Sequence, residues 1–431
     1  MIYNIVWGMR NKTIAKSKKE IIMKTITFLL LICTAFVVSC RDNEVDDLFE
    51  LSPEARIAQR ISEIQNELVT AKEGWITHYI YNESADDIYL KIIFKENNRA
   101  EITYSKKGKI ITEESSYAIR YSQQVDLIFD TYSVFATLVN SLNKGDFRFE
   151  FDRKENGLLY FKSRSSTFEP ESYIEFEPNT GTLTYEKLLA MYNRLLPDPN
   201  KPFYRVMNIQ GANTKFCLWR GCGINLEWEE NNVFYTQHLP IKITDDGFEF
   251  RKPFQVNNTN ITRLVYNETD DNFEIWSEQT KVGSLDYTEQ KPCRFGNSTE
   301  EFLKEVGGFV VIEYSGEMQN IIDLVYENDP DFYDIEFYVN YGKNEDMNEL
   351  NFYSEEWGYL VWDMDFQYDK DIMTMNVIES QSEEADEYAT DIAPDLYRVF
   401  ADQAFTLVKR NGKYWFIQNN DPRIYMLVEP L

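Results

Sequence analysis

The chain has 431 residues, with 72 acidic against 44 basic side chains and a net charge of −28 at pH 7. A surface of that sign repels phosphate backbones and anionic headgroups, which disfavours nucleic-acid binding and charge-driven membrane attachment. Only two histidines, His78 and His238, are present, so chemistry built on paired or clustered imidazoles is excluded from most arrangements.

Near the start, Lys24 leads an apolar stretch from Ile26 to Val38 that ends in Ser39 directly before Cys40. The stretch is shorter than the roughly 20 apolar residues that cross a bilayer. A small residue ahead of cysteine is the pattern of a bacterial lipoprotein signal, in which Cys40 becomes the acylated first residue of the mature protein. Residues 1–39 are read as that signal with an N-terminal extension. Either translation starts at Met23, or Lys16, Lys18 and Lys19 lengthen the positive region. Residues 1–39 hold six basic residues and one acid, so the mature chain has 38 basic and 71 acidic residues and a net charge of −33. Attachment to a membrane then rests on the lipid at Cys40 and not on charge. Residues 40–51 read as a lipidated acidic tether, with Asp42, Glu44, Asp46 and Asp47 directly behind the anchor.

Ser52 suits a helix N-cap and Pro53 the first helical position, while Ile57, Ile61, Ile64, Leu68 and Ala71 fall on one face and Gly74 supplies the stop. Beyond it the pattern turns to antiparallel β. Ile88, Leu90, Ile92 and Phe94 alternate with more polar neighbours, and so do Ala100, Ile102 and Tyr104 after an Asn97-Asn98 turn. Phe147, Phe149 and Phe151 share one strand face, and Asp246-Gly247 and Asn411-Gly412 read as short hairpins. Helical patches are predicted near 131–142, 185–195, 299–304 and 394–403. The stretch Pro197 to Pro202, with three prolines, reads as a linker. The fold class is α+β, predominantly antiparallel β with a few packed helices, in two β-rich domains: residues 52–196, led by the helix, and residues 203–431. Thr131 to Ala136 faintly echoes Leu396 to Ala401, either an internal repeat or a coincidence in an aromatic-rich chain.

Once residues 1–40 are set aside, Cys217, Cys222 and Cys293 remain. Cys217 and Cys222 are the candidate disulfide pair across a turn eased by Gly221, with free thiols as the alternative and Cys293 as the odd one out. They do not supply the four ligands of a zinc clip, and no cofactor is expected. His78 and His238 both sit in strand-like runs with no nucleophile elbow beside them. A glycosidase needs only two carboxylates, but nothing singles out a pair. In an extended strand Asp363, Asp365, Asp369 and Asp371 share one face. This reads as a solvated face with a turn near Asp369 to Asp371, or, as a weaker alternative, as a cation site. Aromatic residues make up 15% of the chain. Trp219 and the group Tyr353, Trp357 and Tyr359 are candidate exposed platforms for stacking on sugar rings or partner side chains, against the alternative of core and cross-strand pairs.

Ala55-Arg56 in the helix, Gly74-Trp75, Ser115-Ser116-Tyr117, Phe129-Asp130-Thr131-Tyr132 and Gly145-Asp146-Phe147, in that order, resemble a domain-of-unknown-function family of Bacteroidota lipoproteins. The resemblance covers about residues 45–165 and continues more loosely to Leu239-Pro240 and Asp246-Gly247. This chain departs from the family pattern at Asp86 to Tyr89, where a Gly-Gly-aromatic turn is usual. It also has Ala136, Thr137 and Leu138 where a histidine is usual. The resemblance implies a lipid anchor in the outer membrane facing outward and an acidic export tag behind Cys40. It also implies a place beside SusC/SusD-type nutrient-uptake systems, and it carries over no catalytic residue. The expected function is a non-enzymatic accessory component that binds glycan or peptide. The alternatives are a scaffold subunit without a ligand of its own and a hydrolase using a carboxylate pair. SusC/SusD-like proteins are the expected partners, with no nucleic acid among them.

Overall fold

The computed structural model describes residues 51–79, 88–106, 108–130, 132–140, 145–164, 173–181, 183–221, 223–342, 347–410 and 412–431. The predicted signal, Cys40 and nearly all of the tether lie outside them, as does Cys222. Residues Arg60–Leu431 form one compact unit.

The helix forms at Pro53–Thr70, capped by the Ser52 hydroxyl, which accepts from the Ala55 N–H at 3.2 Å. It ends before Gly74, whose φ of +81° suits glycine. Its apolar stripe works as the spacing requires: Ile64 and Leu68 are buried, and Trp75 donates to the Leu68 carbonyl at 2.8 Å. Below this helix, eight strands from Trp75–Tyr79 to Tyr173–Pro178 run up and down into a closed barrel. Closure comes from pairing of the first strand with the last, Trp75 opposite Pro178 and Tyr79 opposite Ile174. Alternation sends Leu90, Ile92, Phe94, Ile102, Phe149 and Phe176 inward.

A short helix, Tyr185–Asn193, leads into a nine-stranded antiparallel sheet spanning Tyr204–Ile209 to Thr280–Thr288. Leu188 and Met191 of the helix share the core of that sheet with Leu218, Leu226, Phe248 and Ile275. A second closed barrel of eight strands follows, from Gly307–Tyr314 to Tyr425–Pro430, sealed by pairing of its first and last strands. The protein is therefore β-rich with few helices, and residues 204–430 carry two separate sheets.

The faint six-residue echo falls at one topological position in both barrels. Helices Val134–Asn140 and Pro394–Phe400 each link a barrel's fifth and sixth strands. Phe135 drops against Phe129 and Phe149, and Phe400 against Phe337 and Phe352. Each plugs its barrel with a fully buried ring.

A distinct apolar seam joins the nine-stranded sheet to the second barrel. Phe203, Tyr204, Cys217, Trp219 and Phe295 meet Val408, Ile417 and Tyr425 there. A buried ion pair crosses the same seam, with Arg410 Nη2 at 2.5 Å from Glu227 Oε1. Here the candidate Cys217–Cys222 disulfide is corrected: Cys217 is bonded to Cys293. Residues Phe216–Gly221 form a strand and not a tight turn. Extended chain rises roughly 3.3 Å per residue, so the stretch after Cys217 leads away from it, while the segment after the last sheet strand brings Cys293 across.

Candidate functional site

Aromatic residues singled out from the sequence end up in three different environments. Trp219 is not an exposed platform. Alternation in its strand points Phe216 and Leu218 into the sheet core, which turns Cys217 and Trp219 toward the second barrel. Its ring packs on Phe203 and Phe295 and lies under the Arg410 guanidinium. Trp357 is half-buried at the rim of the second barrel, edge-on to Tyr388. Tyr353 and Tyr359 do stand on an outer surface, with ring centroids 4.7 Å apart.

The four aspartates do not converge. Asp371 is buried, salt-bridged to Lys291 at 3.0 Å and accepting from the Phe295 N–H at 2.9 Å. This corrects the solvated-face reading at that residue: Asp371 pins the segment that carries Cys293. Asp363 accepts from Gln381 and Asp365 from Gln367, each at 2.7 Å, while Asp369 is exposed at the end of the strand Gly358–Asp369. Among the described residues no group of three or more His, Cys, Asp or Glu side chains is placed to hold a metal ion.

The face that carries Tyr353 and Tyr359 is built by three adjacent strands of the second barrel, Phe332–Tyr341, Met347–Ser354 and Gly358–Asp369. Ile335, Phe337, Leu350, Phe352, Leu360 and Trp362 fill the barrel. Their neighbours therefore point outward. Register then lines them up in rows: Asp334 beside Tyr353 beside Tyr359, Glu336 beside Asn351 beside Val361, and Tyr338 beside Glu349 beside Asp363. Tyr333 adds a further ring, edge-on to Tyr353 at 5.8 Å.

The electrostatics of this face are unusual. Glu336, Asn351 and Glu349 are only 7%, 5% and 8% exposed although they point away from the barrel core. Tyr338 donates to Glu336 at 3.0 Å, and Gln381 bridges Glu349 and Asp363. Among the described residues no lysine or arginine pairs with Asp334, Glu336, Glu349 or Asp363. Asp334 Oδ1 and Asn351 Oδ1 are buried and accept no hydrogen bond. Burial, with Glu336 adding to it, pushes the Asp334 carboxyl up to about 6. The Glu336 charge and partial burial raise the Tyr359 phenol.

That shift has a measurable consequence. A carboxyl whose folded pKa lies above its unfolded value binds more protons in the native state, so its contribution to stability falls as pH rises between the two values. The Asp334→Asn variant is expected to match the parent near pH 4 and to exceed it by roughly 1–2 kcal/mol above pH 7, a figure reduced for solvent screening. Urea unfolding across that pH range checks it; a constant difference contradicts the assignment.

Two other clefts are already satisfied by their own side chains. One, of about 130 Å³, lies between the first barrel and the nine-stranded sheet and includes His78, stacked on Tyr89 at 4.4 Å. Its Glu177 is salt-bridged to Lys242 at 3.0 Å and Arg251 at 3.1 Å. The other, of about 460 Å³, lies beside the proline-rich stretch. There Arg205 donates to the Arg194 and Leu196 carbonyls, Arg194 covers the Tyr266 ring, and Asp271 takes Lys201 and Tyr266. His238 lies on an edge strand of the nine-stranded sheet, exposed and bonded to Asn225. The two histidines thus belong to different sheets.

These observations define a β-rich protein built from two closed barrels and an open sheet, with an acidic, tyrosine-walled outer face on its second barrel. Residues 45–268 match the family described as Domain of unknown function (DUF4302), and the chain belongs to that family. The match ends within the nine-stranded sheet, so the tyrosine-walled face lies outside it. No curated protein matches the chain. Among solved structures a Caulobacter crescentus pol III beta chain is returned at 8% identity, covering 85% of this chain and 96% of that one. Its TM-score is 0.18, too low to carry any argument.

Proposed function

We propose that this protein is a lipid-anchored, outward-facing accessory component of a bacterial nutrient-uptake system. In this reading it acts without catalysis, binding a glycan or peptide on the outer face of its second barrel. Cys40 carries the anchor, and the acidic segment behind it marks the chain for the cell surface. SusC/SusD-like proteins are the partners that the family resemblance suggests.

One observation carries the binding role. The face sets exposed rings, Tyr359 at 62% and Tyr333 at 67% exposure, beside buried acceptors that have no donor. Unmade hydrogen bonds at buried oxygens cost about 1–3 kcal/mol each, so a ligand that supplies donors recovers that cost. Rings provide apolar area for the CH face of a sugar or for a side chain.

Probing glycan and peptide arrays with the purified full-length chain tests the reading. Retention of a defined subset on one array is expected. No retention on either array, together with co-purification of SusC/SusD-like proteins, would replace it with the scaffold role.

A further inference from the structure

Resting on the reading of this surface as a ligand site, we propose that the outer face of the second barrel selects amino-sugar chains that carry a free, protonated amine. In this assignment Asp334, Glu336 and Glu349 supply counter-charge, Asn351 Oδ1 accepts an N–H or O–H from the ligand, and Tyr359 and Tyr333 are the stacking rings.

Among the described residues the charged groups of the face are all carboxylates. Its carboxylates are Asp334, Glu336, Glu349 and Asp363, and the nearest residue on the following strand adds another, since Asp363 stands opposite Glu379. On the preceding strand Val310 stands opposite Glu336 and Gly308 opposite Tyr338, and neither carries a positive charge. Tyr338 already donates to Glu336, and Gln381 to Glu349 and Asp363, while the Tyr333, Tyr353 and Tyr359 hydroxyls are neutral donors at one end of the face. Like charges set opposite each other across strands, as Glu349 and Asp363 are, destabilise a sheet. Among the described residues none supplies these carboxylates with a basic partner, which leaves room for a cation from a ligand.

Asn351 makes the point independently of the acids. It is only 5% exposed, and its Oδ1 has no partner. Leu350 and Phe352 on either side of it enter the barrel core, so the amide points into the outer face. A neutral sugar could satisfy that oxygen but would leave the half-buried carboxylates uncompensated, whereas an ammonium answers both needs and also gains from the tyrosine ring faces. Uronic, sulfated and phosphorylated glycans are excluded by charge. An amino sugar fits better than a lysine side chain because Tyr333, Tyr353 and Tyr359 make a run of rings at the Asp334 end of the face, a platform for sugar rings next to the acids.

Titration calorimetry of the full-length chain with a glucosamine tetramer, its N-acetylated counterpart and a tetralysine peptide tests the proposal. The free amine is expected to bind about tenfold tighter than the acetylated chain, with affinity falling as salt rises. Glu336→Gln and Asp334→Asn should each remove most of that preference while leaving the fold intact. Glu268→Gln, on a distant exposed turn, should leave the preference unchanged and so controls for the general acidity of the protein. Equal affinity for the acetylated chain would overturn the amine selectivity yet leave the face a ligand site. Tighter binding of tetralysine would overturn the sugar assignment, and binding of none of the three would overturn the proposal altogether.

Discussion

Replacing Arg410 with alanine is expected to destabilise the protein by about 3–5 kcal/mol, the usual cost of stranding one member of a buried ion pair. The partner left behind is Glu227, a buried residue whose carboxyl is already raised by desolvation that Arg410 only partly offsets. The pair itself is poorly satisfied: Glu227 Oε2 and Arg410 Nε are buried without partners. Arg410 also donates to the Lys409 carbonyl at 2.7 Å and covers the Trp219 ring, but the desolvation of two charges offsets most of what these contacts contribute. The double replacement Glu227→Leu with Arg410→Met is accordingly expected to recover most of the loss, and a double-mutant cycle in urea measures both effects. A double variant as unstable as Arg410→Ala would show that the pair contributes attraction beyond its desolvation cost.

Loss of the Cys217–Cys293 disulfide is the second large effect. The bond closes a loop with a sequence separation of 76 and ties the nine-stranded sheet to the segment that enters the second barrel. Loops of that length give a stabilisation of about 2–4 kcal/mol, mainly by restricting the unfolded chain. The paired replacement Cys217→Ser with Cys293→Ser should lower the unfolding free energy by that amount. Cys222→Ser should have little effect, since the bond does not use it. Denaturant unfolding with and without reductant checks both, and equal losses from Cys222→Ser would contradict the pairing.

Local signals in the sequence were read correctly where the physics is local. The Ser52 cap, the four-and-three spacing to Leu68 and the Gly74 stop define a helix without reference to anything distant. Alternation at Ile88 to Phe94 and at Trp362 to Met364 likewise predicts which side chains the barrels bury. Asp246-Gly247 marks a real hairpin for a different reason from the one assumed. Gly247 does not adopt a positive φ; a Cβ there would lie 1.9 Å from the Leu264 carbonyl oxygen. The helix Gly316–Asn328 was missed, although Ser315 caps it and Met318, Ile322 and Val325 form its buried stripe. A glycine at the first position hid that pattern.

What the sequence withheld depends on distant pairing. Barrel closure joins Trp75 to Pro178, and the disulfide partner of Cys217 lies at a sequence separation of 76. Trp219 looks like any exposed strand aromatic until the second barrel covers it. The candidate face draws Asp334, Asn351 and Tyr359 from three strands, and only their register brings them together. Of its members, Tyr353, Tyr359 and Asp363 stand out in the sequence, as strand aromatics and as part of an acidic alternation. Asp334, Glu336, Glu349 and Asn351 carried no local signal, since acidic and amide residues are common throughout this chain.

The binding role of that face is tested most directly by the Tyr353→Ala, Tyr359→Ala double variant, compared with the parent on whichever array the parent recognises. Removing two outward rings should leave the melting temperature nearly unchanged and abolish retention of every ligand the parent holds. Undiminished retention by a folded double variant would contradict the account and place the binding surface elsewhere on the molecule.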